Sequence, residues 1–255
     1  MKNGNDAVFL PREGLIDFHT HVLPNIDDGA KNAEQSRLML DASREGGVTA
    51  LIATPHFDAR EESPEEFLLR RQAALVELSR VYDAKTHPAL YVGAEVAYFS
   101  NIGASEQLRE LCIRGTHVLL VEMPMAPWKD RVLEDLYAIM EQLRLIPVIA
   151  HVERYIDLQR RGTLSYLAQS GVCFQINAES LLTRRTRKLC QFILRNEIDV
   201  LLGSDCHDSE HRPPNIVQKA REMGDGDLAS ELFYRADILG RILLKGAHRP
   251  LEALH

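Results

Sequence analysis

No stretch of the 255 residues approaches the ~18 consecutive apolar positions of a membrane-spanning helix, and the opening MKNGNDAVFLPREG has no apolar core of signal-peptide length. The expectation is a cytoplasmic chain with no membrane span. Cysteine is sparse: Cys112, Cys173, Cys190 and Cys206 form no CxxC pair and lie far apart, which suits a reducing compartment better than a disulfide framework. An excess of basic residues is lacking too. With 30 Lys and Arg against 37 Asp and Glu, the formal charge of -7 has the wrong sign for gripping nucleic-acid phosphates, so no nucleic-acid partner is expected. There is no Gly/Ser-rich or Pro-rich linker, and no GxGxxG follows the first apolar run. What remains is a chain 45% hydrophobic and 26% charged, an ordinary globular composition long enough for one barrel-sized domain, with ten histidines.

Short β-rich apolar runs alternate with longer amphipathic stretches. Seven strands are expected, at 15–18, 49–53, 89–93, 117–121, 147–150, 172–176 and 199–203. VLLV, VIA and VLLG among them are continuously apolar, as parallel strands covered on both faces are. Helices are expected at 33–45, 64–81, 130–143, 163–169, 185–196 and 214–223. Ser63 is placed to cap the second, with Pro64 at its first position. Strand then helix, repeated about seven times, argues for an α/β fold with a closed or nearly closed parallel barrel. No domain boundary is visible, so residues 15–255 are expected to form a single domain behind an extension of residues 1–14.

Nearly every expected strand ends in a metal-binding side chain: His19-Thr20-His21, then His56, Glu95, Glu122, His151 and finally Asp205-Cys206-His207. In a parallel barrel all strand C-termini open on one face, so these residues converge. Imidazole and carboxylate are donors for Mn, Fe or Zn. A single His at a strand end is more often a structural hydrogen-bonding group than a ligand. Six strand ends in agreement overturn that reading. Residues two apart on a strand share a face, which makes His19-x-His21 a chelating pair. Asp27-Asp28-Gly29 reads as a turn, with Asp28 a candidate ligand because it lies close to His21 in sequence.

In order, DFHTHVLPNIDDGAKN, TPHF, GAEV, VEMPM, AHVERY, INAESL and SDCH resemble the polymerase-and-histidinol-phosphatase (PHP) superfamily, most closely its bacterial manganese-dependent tyrosine phosphatases of the capsule-regulating type. The resemblance spans about residues 15 to 245. It implies a distorted (β/α)7 barrel, TIM-like, with three divalent metal ions, manganese foremost and iron or zinc as substitutes. By position, one ion takes His19, His21, Glu95 and Asp205, a second shares Glu95 and adds Glu122 and His151, and a third takes Asp28, His56 and His207. Arg154 falls where relatives meet the substrate phosphate. The implied substrate is a phosphotyrosine protein, the tail of a bacterial tyrosine kinase of polysaccharide export.

Closely spaced divalent ions lower the pKa of water toward neutrality and neutralise phosphate oxygens, so a hydroxide nucleophile is expected rather than a covalent intermediate. A phenol leaving group, with a pKa near ~10, departs with little help. Cys206 to Arg212 has the bare C-x5-R spacing of cysteine-based phosphatases, but its intervening Asp208 and Glu210 would repel phosphate. Arg184-Arg185-x-Arg187-Lys188 is a basic run at a helix start, where cations are disfavoured; Arg184 and Arg185 are candidate docking residues for an acidic substrate tail. Alternatives are a PHP-type phosphoesterase for a small substrate such as histidinol phosphate, a binuclear amidohydrolase and a non-catalytic metal-binding module.

Overall fold

The computed structural model describes residues 8–9, 11–249 and 251. Most of the expected extension, residues 1–7 and 10, therefore lies outside the described residues. The strands are β1 (Leu15–Thr20), β2 (Val48–Ala53), β3 (His56–Phe57), β4 (Ala89–Val92), β5 (Glu95–Ala97), β6 (Val118–Glu122), β7 (Ile146–Ile149), β8 (Cys173–Asn177) and β9 (Val200–Gly203). The helices are α1 (Ala33–Glu45), α2 (Pro64–Leu78), α3 (Asp130–Glu141), α4 (Thr163–Gln169), α5 (Arg184–Arg195), α6 (Ile216–Glu222) and α7 (Gly226–Leu243). All strand pairs are parallel, in two sheets ordered β1-β2-β4 and β3-β5-β6-β7-β8-β9.

Nine strands stand where seven are expected, because two of the seven are interrupted. After β2 the chain passes Thr54-Pro55 and resumes as β3; after β4 it passes Gly93-Ala94 and resumes as β5. Pro55 has no N–H to give, which breaks the ladder. Glu95 N nonetheless donates to Pro55 O at 3.0 Å and Gly93 N to Ala53 O at 2.9 Å, so each path stays in line. His56 and Glu95 therefore sit inside short strands rather than beyond strand ends.

The sheets do not close through one continuous ladder; they meet at irregular seams. Between β4 and β6, Arg114 N donates to Val92 O and Ile113 N to Val118 O. Between β9 and β1, Asp205 N donates to His19 O and His21 N to Cys206 O, with a parallel bridge of Thr20 to Cys206.

Both faces of the strands are buried, hence their unbroken apolar runs. On β6, Leu119 and Val121 join the large core packed against the helices, whereas Val118 and Leu120 join a smaller second core. On β8, Phe174 and Ile176 belong to the large core, which leaves Gln175 and Asn177 on the opposite face with Cys173. Ser63 caps α2 as expected, forming a reciprocal box with Glu66. The longest helix, α7, is not foreseen by the sequence reading, whose last element ends at Met223. It buries Leu228, Ala229, Leu232, Phe233 and Ala236, and Gly240 lets it approach β1 so closely that an added Cβ would lie 2.7 Å from the Phe18 ring. Phe9 N donates to Ser230 Oγ and Arg241 pairs with Glu13, so residues before β1 also lie against α7.

Candidate metal centre

Glu95, at the start of β5 and 1% exposed, is the hub of the site. Its two oxygens face four imidazoles: His19 Nε2 at 3.1 Å, His21 Nε2 at 3.4 Å, His56 Nδ1 at 3.1 Å and His151 Nε2 at 2.9 Å. Asp205 Oδ1 lies 3.5 Å from both His19 Nε2 and His21 Nε2. Asp28 Oδ1 stands 3.2 Å from His207 Nε2 and 3.4 Å from His56 Nε2, and Glu122 Oε1 stands 3.6 Å from His151 Nε2. The nine side chains expected as donors thus form one connected cluster. His19, His21, Glu95, His151, Asp205 and His207 are its buried floor, while Asp28, His56 and Glu122 reach toward solvent. Among the described residues, the donor atoms of His21-Asp28-His56-His207, of His19-His21-Glu95 and of His56-Glu95-Glu122 each lie within 4.8 Å of one another, so His21 and His56 each stand between groups that the resemblance separates.

Ionisable groups are costly to bury, and here they are stabilised largely by one another. Burial pushes Glu95 up, but the His19 charge and the hydrogen bonds from His151, His19 and His21 hold it well below the usual carboxylate range. Burial likewise opposes ionisation of Asp205, yet His19 and His21 keep its carboxyl lowered. Burial pulls His21 down, and hydrogen bonds to Asp205, Asp27 and Glu95 raise it well above an ordinary imidazole. His207 goes the other way, to about 4, through burial and the charges of His21 and Arg212.

Among the nine clustered side chains, two belong to residues held in left-handed backbone: His151 at φ 33° and Asp205 at φ 54°. Such a conformation costs about 1–3 kcal/mol and persists only where neighbours enforce it. His151 N donates to Gln175 Oε1 at 2.8 Å and Asp205 N to His19 O at 2.8 Å.

Sequence reasoning missed the residues that orient this cluster. Asp27 Oδ2 faces His21 Nδ1 at 2.8 Å and accepts from His56 N. Gln175 Oε1 faces His19 Nδ1 at 3.1 Å, and Gln175 Nε2 donates to Asn177, whose Nδ2 donates to Asp205 Oδ2. The buried Asp17 accepts from Ser204 N and Oγ. Tyr155 Oη accepts from Met123 N and lies 3.4 Å from His151 Nδ1. The available signal was polar residues inside apolar strands: Asp17 in LIDFHT, Gln175 and Asn177 in CFQIN.

At the rim, Arg154 donates to Asp205 Oδ2 at 2.5 Å, and Arg212 reaches the same oxygen at 2.8 Å. Each is about two-fifths exposed, 40% and 39%, leaving donors turned toward solvent. Arg212 was read only as the end of C-x5-R. In that segment the Cys206 thiol is buried and its pKa is pushed up by burial and by Asp17, the opposite of an activated thiolate. Arg184 and Arg185 stand on the first turn of α5, where Arg185 pairs with Asp157.

The donor set fits divalent ions. His207 Nε2 is buried and makes no hydrogen bond among the described residues, and His19 Nε2 faces His21 Nε2 at 3.0 Å, where at most one proton fits between them. Mixed imidazole and carboxylate donors are those of Mn, Fe and Zn sites.

The family model for capsular polysaccharide synthesis proteins CpsB/CapC matches residues 15–237. The chain belongs to the CpsB/CapC family. Two members illustrate the distances within it. The tyrosine-protein phosphatase CpsB of Streptococcus agalactiae serotype III is 25% identical over 236 residues, covering 86% of this chain and 95% of its own. The tyrosine-protein phosphatase YwqE of Bacillus subtilis is 29% identical over 238 residues, covering 91% and 92%. A chain from the crystal structures of YwqE and of Streptococcus pneumoniae CpsB, described as unique metal-dependent tyrosine phosphatases, superposes with a TM-score of 0.71 at 25% identity over 92% of this chain and 96% of that one. A lactonase of Listeria monocytogenes, at 10% identity and TM-score 0.57, shares the fold alone. Within the CpsB/CapC stretch lie all nine clustered donors, Arg154 and Arg212.

Proposed function

We propose that this CpsB/CapC member is a metal-dependent protein-tyrosine phosphatase, and that it acts in the cytoplasm on a tyrosine kinase of polysaccharide export. The observation that carries the reading is the buried Glu95 ringed by four imidazoles, with two arginines at the rim sharing Asp205. The phosphatase names of its relatives support it, as does the absence, among the described residues, of a helix long and apolar enough to cross a membrane. Residues 15–255 act as one domain, in which the seven strand paths make a distorted (β/α)7 barrel, and residues 1–14 are an extension.

Three divalent ions, manganese foremost, would be held by His19, His21, Glu95 and Asp205, by Glu95, Glu122 and His151, and by Asp28, His56 and His207. When bound, they supply Lewis acidity that lowers the pKa of water and offsets phosphate charge. The chain's own groups do the rest. Arg154 and Arg212 present guanidinium forks to the non-bridging phosphate oxygens, stabilising charge as it spreads. Asp205 and Asn177 hold those forks at the rim, Asp205 accepting directly and Asn177 steadying the same oxygen. No buried thiol competes as nucleophile, so water attacks directly.

The test is turnover of a phosphotyrosine peptide against histidinol phosphate, using chelated enzyme reloaded separately with Mn, Fe and Zn. Phosphotyrosine hydrolysis is expected, and Arg154→Ala should lower its kcat about 10²–10³-fold with metal content unchanged. Preference for histidinol phosphate would move the chain to the small-substrate reading, and inactivity on both in every metal state would leave a metal-binding module.

A further inference from the structure

A groove of about 700 Å³ is floored by Ile156, Leu189 and Phe192 and rimmed by Arg184, Arg185 and Lys188. Two stretches of chain tie it to the site. Ile156 comes two residues after Arg154, and α5 follows Asn177, which bonds Asp205, through the short turn Ala178–Leu182. The rim is electrically unbalanced. Arg185 pairs with Asp157, but the side chains of Arg184 and Lys188 have no hydrogen-bond or ion-pair partner among the described residues, and the first turn of α5 holds no acidic residue. Cations at a helix N-terminus are disfavoured by the backbone dipole, and this chain carries a net charge of -7, so three of them around one apolar trough are not a solvated average surface.

We propose that this groove docks the segment of the substrate protein beside its phosphotyrosine, a peptide bearing Asp or Glu and seating one apolar side chain on the floor. The proposal rests on the phosphatase reading and adds the sequence preference that the metal centre lacks. Carboxylates of the peptide pair with Arg184 and Lys188 while the phosphate meets Arg154. Because the contacts are at an exposed rim, they act on capture more than on the chemical step.

The experiment compares two phosphotyrosine peptides that differ only in flanking Asp/Glu versus Ser, and reads the ratio of their kcat/KM values. The wild-type ratio should favour the acidic peptide by about three- to tenfold, through KM, and collapse toward one at ~1 M ionic strength, where the screening length is about 3 Å. In Arg184→Glu/Lys188→Glu the ratio should invert, and in the conservative Arg184→Lys/Lys188→Arg it should persist. A ratio unchanged by charge reversal overturns the proposal. Fluorescence anisotropy of the unphosphorylated acidic peptide separates the two readings, since it needs no turnover. If no phosphotyrosine is hydrolysed, the phosphatase reading falls alone, while binding weakened by charge reversal still supports the groove; binding indifferent to it overturns the groove.

Discussion

Each imidazole on the floor of the centre has one nitrogen turned toward Glu95 or its neighbours and the other facing a side chain or carbonyl: Asp27 for His21, Gln175 for His19, Tyr155 for His151, the Asp205 carbonyl for His207. Such outer partners set the tautomer and the ring orientation, and their loss typically lowers metal affinity about 10–100-fold. Asp27→Asn and Gln175→Ala are expected to weaken divalent-ion binding by that factor in chelator competition, with Tm of the metal-free proteins measured alongside. Unchanged affinity would mean that the rings hold their orientation by packing alone. At Cys206 the expectation is opposite. Its thiol is buried and its pKa raised, so Cys206→Ser should retain kcat on an aryl phosphate within about threefold, although a hydroxyl in that buried position costs about 1–3 kcal/mol of stability. Turnover lost with metals still bound would restore the thiol as a nucleophile. Eight of the nine candidate donors were legible in the sequence because they end or follow an apolar run, and Asp28 because its Asp-Asp-Gly turn lies close to His21. Gln175 and Asn177 were not, because only strand register reveals which face of β8 they occupy.

At the scale of elements, single residues decide how closely strands and helices approach. At Gly203, the last residue of β9, an added Cβ would lie 2.6 Å from His19 Cβ and 2.7 Å from Gln175 Nε2, so the strand end itself leaves room for the centre. At Gly240 the same addition meets the Phe18 ring at 2.7 Å. Alanine gains about 1 kcal/mol over glycine in a helix interior, but forcing extra volume into a packed contact costs about 1–3 kcal/mol. Gly240→Ala should therefore lower Tm; a higher Tm would show that α7 can move off β1. Among the described residues, six of the seven α-helices were legible from caps and spacing, as Ser63 with Glu66 illustrates. Helix α7 was not, since its apolar face has meaning only once β1 and the strands beside it supply a surface to cover. The breaks after β2 and β4 were likewise hidden, although Pro55 carried the signal for one of them.

For the whole molecule, the centre links stability to pH and metal. Burial pulls His19, His21 and His56 down, but the carboxylates around them raise all three. In metal-free protein their contribution is complete below an ordinary imidazole pKa of 6.5 and fades as pH rises through the raised values. Glu95 and Asp205 are lowered, so their contribution is complete above the ordinary carboxylate range and fades as pH falls. His151 and His207, both lowered, oppose the other histidines and destabilise as pH drops below 6.5. Through the interval above pH 6.5 in which the raised imidazoles titrate, the protons that balance Glu95 and Asp205 leave, and only cations can replace them. The Tm difference between metal-loaded and chelated protein should widen across that interval, and loading near pH 7 should release protons, measurable by calorimetry in buffers of different ionisation enthalpy. A constant gap with no proton release would mean that the imidazoles are not the ligands.

By itself the sequence determined the parallel α/β class, most element positions and the candidate donors, because apolar period and the residues flanking each run are local properties. Only the tertiary structure decided that the strand paths break after β2 and β4, that Arg154 and Arg212 share Asp205, that Asp27 and Gln175 aim the imidazoles, and that the Cys206 thiol is buried. Those depend on which strands become neighbours and in what register, and the side chains of Asp17 and Ser204, 187 positions apart, meet only after the sheets have formed.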